Sequence, residues 1–130
     1  MAQKKIELIL FRQFANYLAM PAFLTDLNGQ LIFCNEATEE RLGFRFSETG
    51  EMTAQQWSVI FALQDHGGNP IDTNQLPFTT TLQQKSMAHG QFYLRTLKHA
   101  VKQVKVTTIP LLTERDEFLA VMTFFQEIFP

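Results

Sequence analysis

The stretch EFLAVMTFFQEI (117–128) decides the fold. β-Branched and aromatic residues dominate it, so it reads as a strand. Both of its alternating sets are apolar: Leu119, Val121, Thr123 and Phe125 on one face, Phe118, Ala120, Met122 and Phe124 on the other. A strand with one wet face would alternate apolar with polar, so this one is expected to be covered on both sides. Ahead of it stand QFYLRTLK (91–98) and VKQVKVTTI (101–109), of similar composition. The connections, about His99 and across LTERD (112–116), are short. The three segments therefore predict an antiparallel meander.

The cover for the second face has to come from elsewhere. KKIELILFRQFANYLA (4–19) contains neither Gly nor Pro and reads as a helix that Pro21 ends. Ile6, Leu10, Phe14, Tyr17 and Leu18 form one stripe, and Leu8, Ile9, Phe11 and Ala15 widen it. One buried face needs a narrower stripe than this, so two partners are expected. One is the outer face of the sheet. The other is a second copy of the chain, met through Ile6, Leu10, Phe14 and Tyr17.

Between helix and meander, AFLTD (22–26) and QLIFCN (30–35) flank Asn28-Gly29 and predict a hairpin. Asn35 is a suitable N-cap for the helix NEATEERLG (35–43), with Gly43 as its stop. Residues 44–75 read as irregular, with the apolar run WSVIFAL (57–63) and a turn-rich loop DHGGNPIDTNQ (65–75). LPFTTTLQQK (76–85) predicts a helix with Pro77 in its first turn. Its three consecutive threonines weaken the helical preference, so tertiary packing must support it. The order predicts an α+β fold: a five-stranded antiparallel sheet, short helices on one face and the N-terminal helix on the other.

The chain has 130 residues, enough for one domain, read as a flanking helix (1–19) and a domain (20–130). A net charge of −2 argues against nucleic-acid binding, and 45% apolar residues argue against disorder. The single cysteine, Cys34, excludes an intramolecular disulfide and fits a reducing compartment. No apolar run reaches the ~18 residues that span a bilayer, and no signal-peptide pattern opens the chain. A cytoplasmic protein with no membrane partner is expected. Phe occurs 13 times, against one Trp and two Tyr. Rings without a polar handle call for a large apolar interior or a cavity.

Four segments in this order resemble a PAS domain of the bacterial sensory type. LTDLNGQLIFCNEATEERLGF (24–44) is similar to the first hairpin and following helix. DHGGNPIDTNQLPFTTTLQ (65–83) is similar to the D-x-x-G-x-P-I segment ahead of an L-P-initiated helix. VKVTTIPLL (104–112) is similar to the penultimate strand, which usually ends in Pro, and FLAVMTFFQEI (118–128) to the final strand. Glu127-Ile128 stands where that family usually has Asp-Ile, and the loop after Lys98 lacks the frequent Asp-Gly. The resemblance implies a sensory or regulatory module that senses a signal and associates with itself or with a separate signalling protein. It names no ligand.

The resemblance also places Phe23 and Thr25, with Val121, Thr123 and Phe125, facing inward. Trp57, Phe61, Phe78 and Leu82 would close over them from the helical side. Rings on both walls either fill that space or line a pocket for an apolar, uncharged small molecule. The sequence leaves both open, with Thr25 and Thr123 as the polar anchors of such a pocket. The cofactor stays unknown. The resemblance implies that haem is not expected, because the helix 76–85, matching the one from which haem-binding PAS sensors commonly supply an axial His, lacks His, and only His89 could serve. Flavin is not expected either, because SETGEMTAQQW (47–57) lacks the reactive cysteine of flavin photoreceptors. No His/Asp/Glu spacing suggests a metal site.

Glu36, Glu39 and Glu40 read as a solvated face, and Cys34 as a small buried hydrophobe. Lys85, Arg95, Lys98, Lys102 and Lys105 form an acid-free segment, read as a wet sheet face or as a site for an acidic partner. Enzymatic activity is not expected. The alternatives are a small-molecule enzyme on a conical α+β fold, with Asp26 as its one candidate carboxylate, and a ligand-free structural dimer.

Overall fold

A computed structural model of the chain describes residues 2–42, 45, 50–53, 56–57, 63–95 and 101–128. Helix α1 (Ala2–Asn16) leads into strands β1 (Ala22–Thr25) and β2 (Leu31–Cys34) and helix α2 (Glu36–Leu42). Then come β3 (Leu63–Gln64), a 3-10 turn (Thr73–Gln75), helix α3 (Pro77–Gln84), and the strands β4 (Ala88–Arg95), β5 (Val101–Leu112) and β6 (Phe118–Glu127). The six strands make one antiparallel sheet in the order β2-β1-β6-β5-β4-β3. The sheet thus has one strand more than expected. The extra one is β3, a two-residue strand whose Leu63 and Gln64 pair with Leu94 and Tyr93. A segment that short carries no period-2 signal.

The meander forms, with shifted bounds. β5 runs past Pro110 to Leu112. It does so because β4 ends at the Ala88–Thr108 pair, so Pro110 faces only β6, opposite Val121. A residue without an N–H is tolerated where no strand awaits one. The helix expected over 4–19 ends at Asn16, well before Pro21. Its last turn tightens, with Tyr17 N–H donating to Phe14 O and Leu18 N–H to Ala15 O, both at 3.1 Å.

The sheet separates two apolar clusters. The inner one gathers Phe23, Leu31, Val106, Val121 and Phe125 from the sheet with Trp57 and Phe78 above them. The outer one gathers Leu24, Leu111, Ala120 and Met122 against Leu8, Phe11 and Ala15 of α1. β6 is therefore covered on both sides, and α1 supplies the second cover. Strict alternation fails at one end of β6: Phe118 packs with the inner cluster and Leu119 with the outer one. A β-bulge opposite Leu112 inserts Leu119 as an extra residue and reverses the faces beyond it. A second bulge between Leu24 and Thr25 of the β1–β2 pair leaves both Ile32 and Phe33 of β2 on the outer face.

The first hairpin closes through Asp26, whose Oδ1 accepts from the N–H groups of Asn28 and Gln30, both at 2.9 Å. Gly29 takes a φ of 83° there, which suits glycine. α3 begins with Pro77 after an extended Leu76, and ends at a left-handed Lys85 whose N–H donates to Thr81 O. The stop assigned to Gly43 lies outside the described residues, as do Phe61, Lys98 and His99.

Candidate functional site

Two places carry features that the fold alone does not require. The first is the inner chamber between the sheet and α3. Phe23 lies 5.4 Å, ring to ring, from Trp57 and 5.6 Å from Phe125, and Trp57 meets Phe78 edge-on at 5.6 Å. Edge-on and tilted contacts suit the quadrupoles of such rings. Trp57 is fixed by a hydrogen bond from its Nε1–H to Gly29 O at 2.7 Å. Among the residues around the remaining space are Phe23, Trp57, Phe78, Thr108, Thr123 and Phe125, and the cavity measures about 20 Å³. That is room for about one water molecule. At rest the chamber is close to a filled core.

Of the residues expected in a pocket, the structure thus brings Phe23, Trp57, Phe78, Thr123 and Phe125 around one space. Val121 and Leu82 pack in the same inner cluster without lining it. Phe61 lies outside the described residues. Thr25 is not an available anchor: it is fully buried and its hydroxyl donates to Val121 O at 3.5 Å. Leu76, Pro77, Val106 and Thr108 line the chamber and were not anticipated. The threonine run 79–81 carried a signal for it. Thr81 is fully buried and its Oγ1 lies 2.6 Å from Thr108 Oγ1, which supplies the packing that this helix needed.

The second place is the free side of α1. Leu10 is 56% exposed, Phe14 54% and Tyr17 89%, with Ile9 and Met20 exposed beside them. The backbone places Ile6 one turn before Leu10; its side chain is outside the described ones. Phe14, Leu18 and Met20 border a groove of about 290 Å³ whose other wall is Lys105, Thr107, Phe124 and Gln126 of the outer sheet face.

Asn35 links these regions. It is buried, at 1% exposure. Its Oδ1 accepts from Ala22 N–H, Thr38 N–H and the Thr38 hydroxyl at 3.0, 3.0 and 2.8 Å. Its Nδ2 donates to Ala15 O at 2.8 Å and Met20 O at 3.1 Å. One amide thus caps α2, holds the start of β1 and satisfies a carbonyl at the end of α1. The expected N-cap is present; its grip on α1 was not foreseen.

The remaining candidates fall outside both places. Cys34 is buried, and desolvation, reinforced by the charge of Glu39, pushes its thiol up to about 12. A thiol held neutral is a poor nucleophile. Asp26 serves its turn and is not among the chamber-lining residues. His89 is exposed on β4, paired with Thr107, and His66 meets the Tyr93 hydroxyl at 3.0 Å. Asp65 accepts from the N–H groups of Gly67 and Asn69, and those bonds, that of Asn69 foremost, hold its carboxyl below the usual range. Lys102 pairs with Glu127 at 3.0 Å, so the basic segment is not acid-free in three dimensions. Among the described residues no three His, Cys, Asp or Glu side chains come together as metal ligands, and no helix is long and apolar enough to cross a membrane.

No protein-family model matches the chain, and no curated protein matches its sequence. Solved structures do match. The PAS domain of Bordetella pertussis BvgS superposes with a TM-score of 0.65 at 14% identity, over 95% of this chain and 87% of that one. The PAS domain of the fruit-fly ELK potassium channel gives a TM-score of 0.68 at 12% identity, over 93% and 96% of the two chains. The chain has the PAS fold. A Rhodobacter sphaeroides LOV protein shares it, with a TM-score of 0.71 at 9% identity over 95% of this chain and 68% of that one. At these identities the likeness is one of fold. The aromatic chamber lies on one face of the sheet and α1 on the other.

Proposed function

We propose that the chain is a non-enzymatic regulatory PAS module that works by association, pairing with a second copy through the free side of α1. The observation that carries this is the row Leu10 and Phe14, with Tyr17 in the turn that follows, left exposed along a helix whose opposite side is already buried on the sheet. A monomer gains nothing from a contiguous apolar row in water, and such a surface marks an interaction site. Its helical spacing suits a helix from a second copy. The groove beside Phe14 continues the row onto the sheet. A signal, from a small molecule in the chamber or from a separate signalling protein, would act by favouring one seating of α1 over another.

Sedimentation velocity tests this. The wild type is expected to sediment as a dimer and Phe14→Glu as a folded monomer, since a carboxylate in the centre of an apolar contact loses its water without gaining a partner. A wild type that stays monomeric at high concentration, or an unchanged dimer in both Phe14→Glu and Leu10→Glu, would refute the reading.

A further inference from the structure

The outer face of the sheet is divided. α1 covers Leu24, Leu111, Ala120 and Met122. Beside α1 the same face turns polar. Gln91 of β4, Lys105 of β5 and Gln126 of β6 stand opposite one another in one row, and Thr107 stands opposite Phe124 in the next. The groove of about 290 Å³ lies at the border of the two halves. Phe14, Leu18 and Met20 form one side of it, with Phe124 continuing the apolar lining, and Lys105, Thr107 and Gln126 form the other.

The polar side of the groove is uncommitted. None of the side chains of Lys105, Thr107 and Gln126 makes a hydrogen bond or ion pair among the described residues. The ion pair of Lys102 with Glu127 lies on the other face, where Lys102 stands opposite Leu94 and Glu127 opposite Val104. All three groove side chains carry hydrogen-bond donors, and none is acidic. One lysine beside an apolar wall is complementary to one negative charge on an aliphatic body. A bare hydrocarbon would leave Lys105 without a partner, whereas an ionised carboxylate only accepts and meets three side chains that donate. The pairing row leaves this space open: Leu10 and Tyr17 do not line it, and Phe14 alone belongs to both.

We propose that this outer groove binds a linear aliphatic monocarboxylate, of the fatty-acid class. Its carboxylate lies against Lys105 and its chain along Phe14, Leu18, Met20 and Phe124. A methylene takes about the 30 Å³ of a water molecule in the liquid, so a chain of about ten carbons fills the space. Such a molecule touches α1 and the sheet together, which is the differential contact that a change in the seating of α1 requires. The inference does not rest on the pairing of two copies, because a single chain supplies the whole groove.

The test is nuclear magnetic resonance of the isotope-labelled intact chain, titrated with sodium decanoate up to millimolar concentration. Saturable shifts are expected at Leu18, Lys105, Thr107 and Phe124. Octanoate should bind about fourfold more weakly, a factor of about two for each half-buried methylene that it lacks. n-Decylammonium, with the same chain and the opposite charge, should bind the wild type more weakly than decanoate. Lys105→Gln, at an exposed position, should weaken decanoate about 2–5-fold and leave decylammonium no weaker. The absence of saturable shifts at the groove overturns the proposal. So does equal binding of decanoate and decylammonium to the wild type, and so do shifts confined to Val106, Thr108 and Thr123 of the chamber. Groove shifts that grow with protein concentration alone, and that decanoate cannot displace, overturn it too, since a second copy then fills the space. Sedimentation of the same samples reads pairing separately: a monomer that binds decanoate refutes only the pairing, and a dimer that does not refutes only the groove.

Discussion

Asn35→Ala is the substitution with the most to lose. The side chain takes part in five hydrogen bonds inside the protein. Loss of an N-cap alone costs about 1 kcal/mol. The N–H of Ala22, a fully buried residue, would be left facing an apolar side chain, at a cost of about 1–3 kcal/mol. The buried carbonyl of Ala15 keeps the N–H of Leu18, and that of Met20 is only part-buried, where water can replace part of the loss, so about 0.5–1 kcal/mol in all is assigned to them. The total is about 2.5–5 kcal/mol, a large share of the 5–15 kcal/mol typical of a domain. With a urea m-value of about 2 kcal/mol per molar, the unfolding midpoint should fall by about 2 M. Asn35→Asp keeps the acceptor but sets a carboxylate against two carbonyl oxygens, so it should lose at least as much. The second readout is local. Trypsin cleavage after Arg12, whose guanidinium donates to Ile32 O at 3.4 Å, should accelerate more than global unfolding requires. A stability loss below about 1 kcal/mol, or cleavage that merely tracks global unfolding, would show that the amide is replaceable and that α1 is held by its apolar contacts alone.

Three further outcomes are expected. The Cys34 thiol titrates at about 12 in the folded chain against about 8.5 unfolded, so the folded state keeps a proton that the unfolded state gives up. Its contribution is intact below the unfolded value and is lost as pH rises between the two, by up to about 1.4 kcal/mol per pH unit. Wild type and Cys34→Ser, compared by urea unfolding from pH 7 to 11, should show that slope in their difference; a flat difference refutes the burial argument. Gly90→Ala would place a Cβ 2.8 Å from Phe92 Cε2 and 2.9 Å from Cζ, forcing the ring to shift and costing about 1–3 kcal/mol by thermal unfolding. Phe92→Leu in the same chain should restore part of the loss. Trp57→Phe removes the 2.7 Å bond to Gly29 O and should cost about 1–3 kcal/mol, with increased hydrogen exchange at the first hairpin; unchanged exchange there argues against Trp57 as its tie.

The parts of this fold legible in the sequence are those written in local pattern. Two apolar sets on 118–125 announced a doubly covered strand, Asn28-Gly29 a hairpin, and Asn35 a cap. Features that depend on partners far along the chain were not legible. β3 exists only because β4 offers it two residues. The exchange of Phe118 and Leu119 depends on a bulge set by the pairing with Leu112, which no count of alternating residues detects. The reach of Asn35 to Ala15 O and Met20 O spans 20 and 15 residues, where no spacing rule applies. At the chamber the large rings were identified from their chemistry, whereas Thr108 was passed over. A threonine in a strand is ordinary until a helix sets another threonine on top of it.

The position of β1 between β2 and β6 has a consequence for the order in which the molecule can assemble. The hydroxyl of Thr25 and the carbonyl of Val121 that receives it are 96 residues apart. Leu24, beneath α1, shares its cluster with Met122 and Ala120, which belong to β6, almost a hundred residues further along the chain. A growing chain therefore carries α1, β1 and β2 before their packing partners exist. Closing so long a loop is entropically costly and slow. Until it closes, Leu8, Phe11 and Ala15 lack the surface that buries them, on the same helix that exposes Leu10 and Phe14. The interval between synthesis of α1 and arrival of β6 is thus the time of greatest exposure to aggregation, and the proposed pairing through α1 would have to wait for β6.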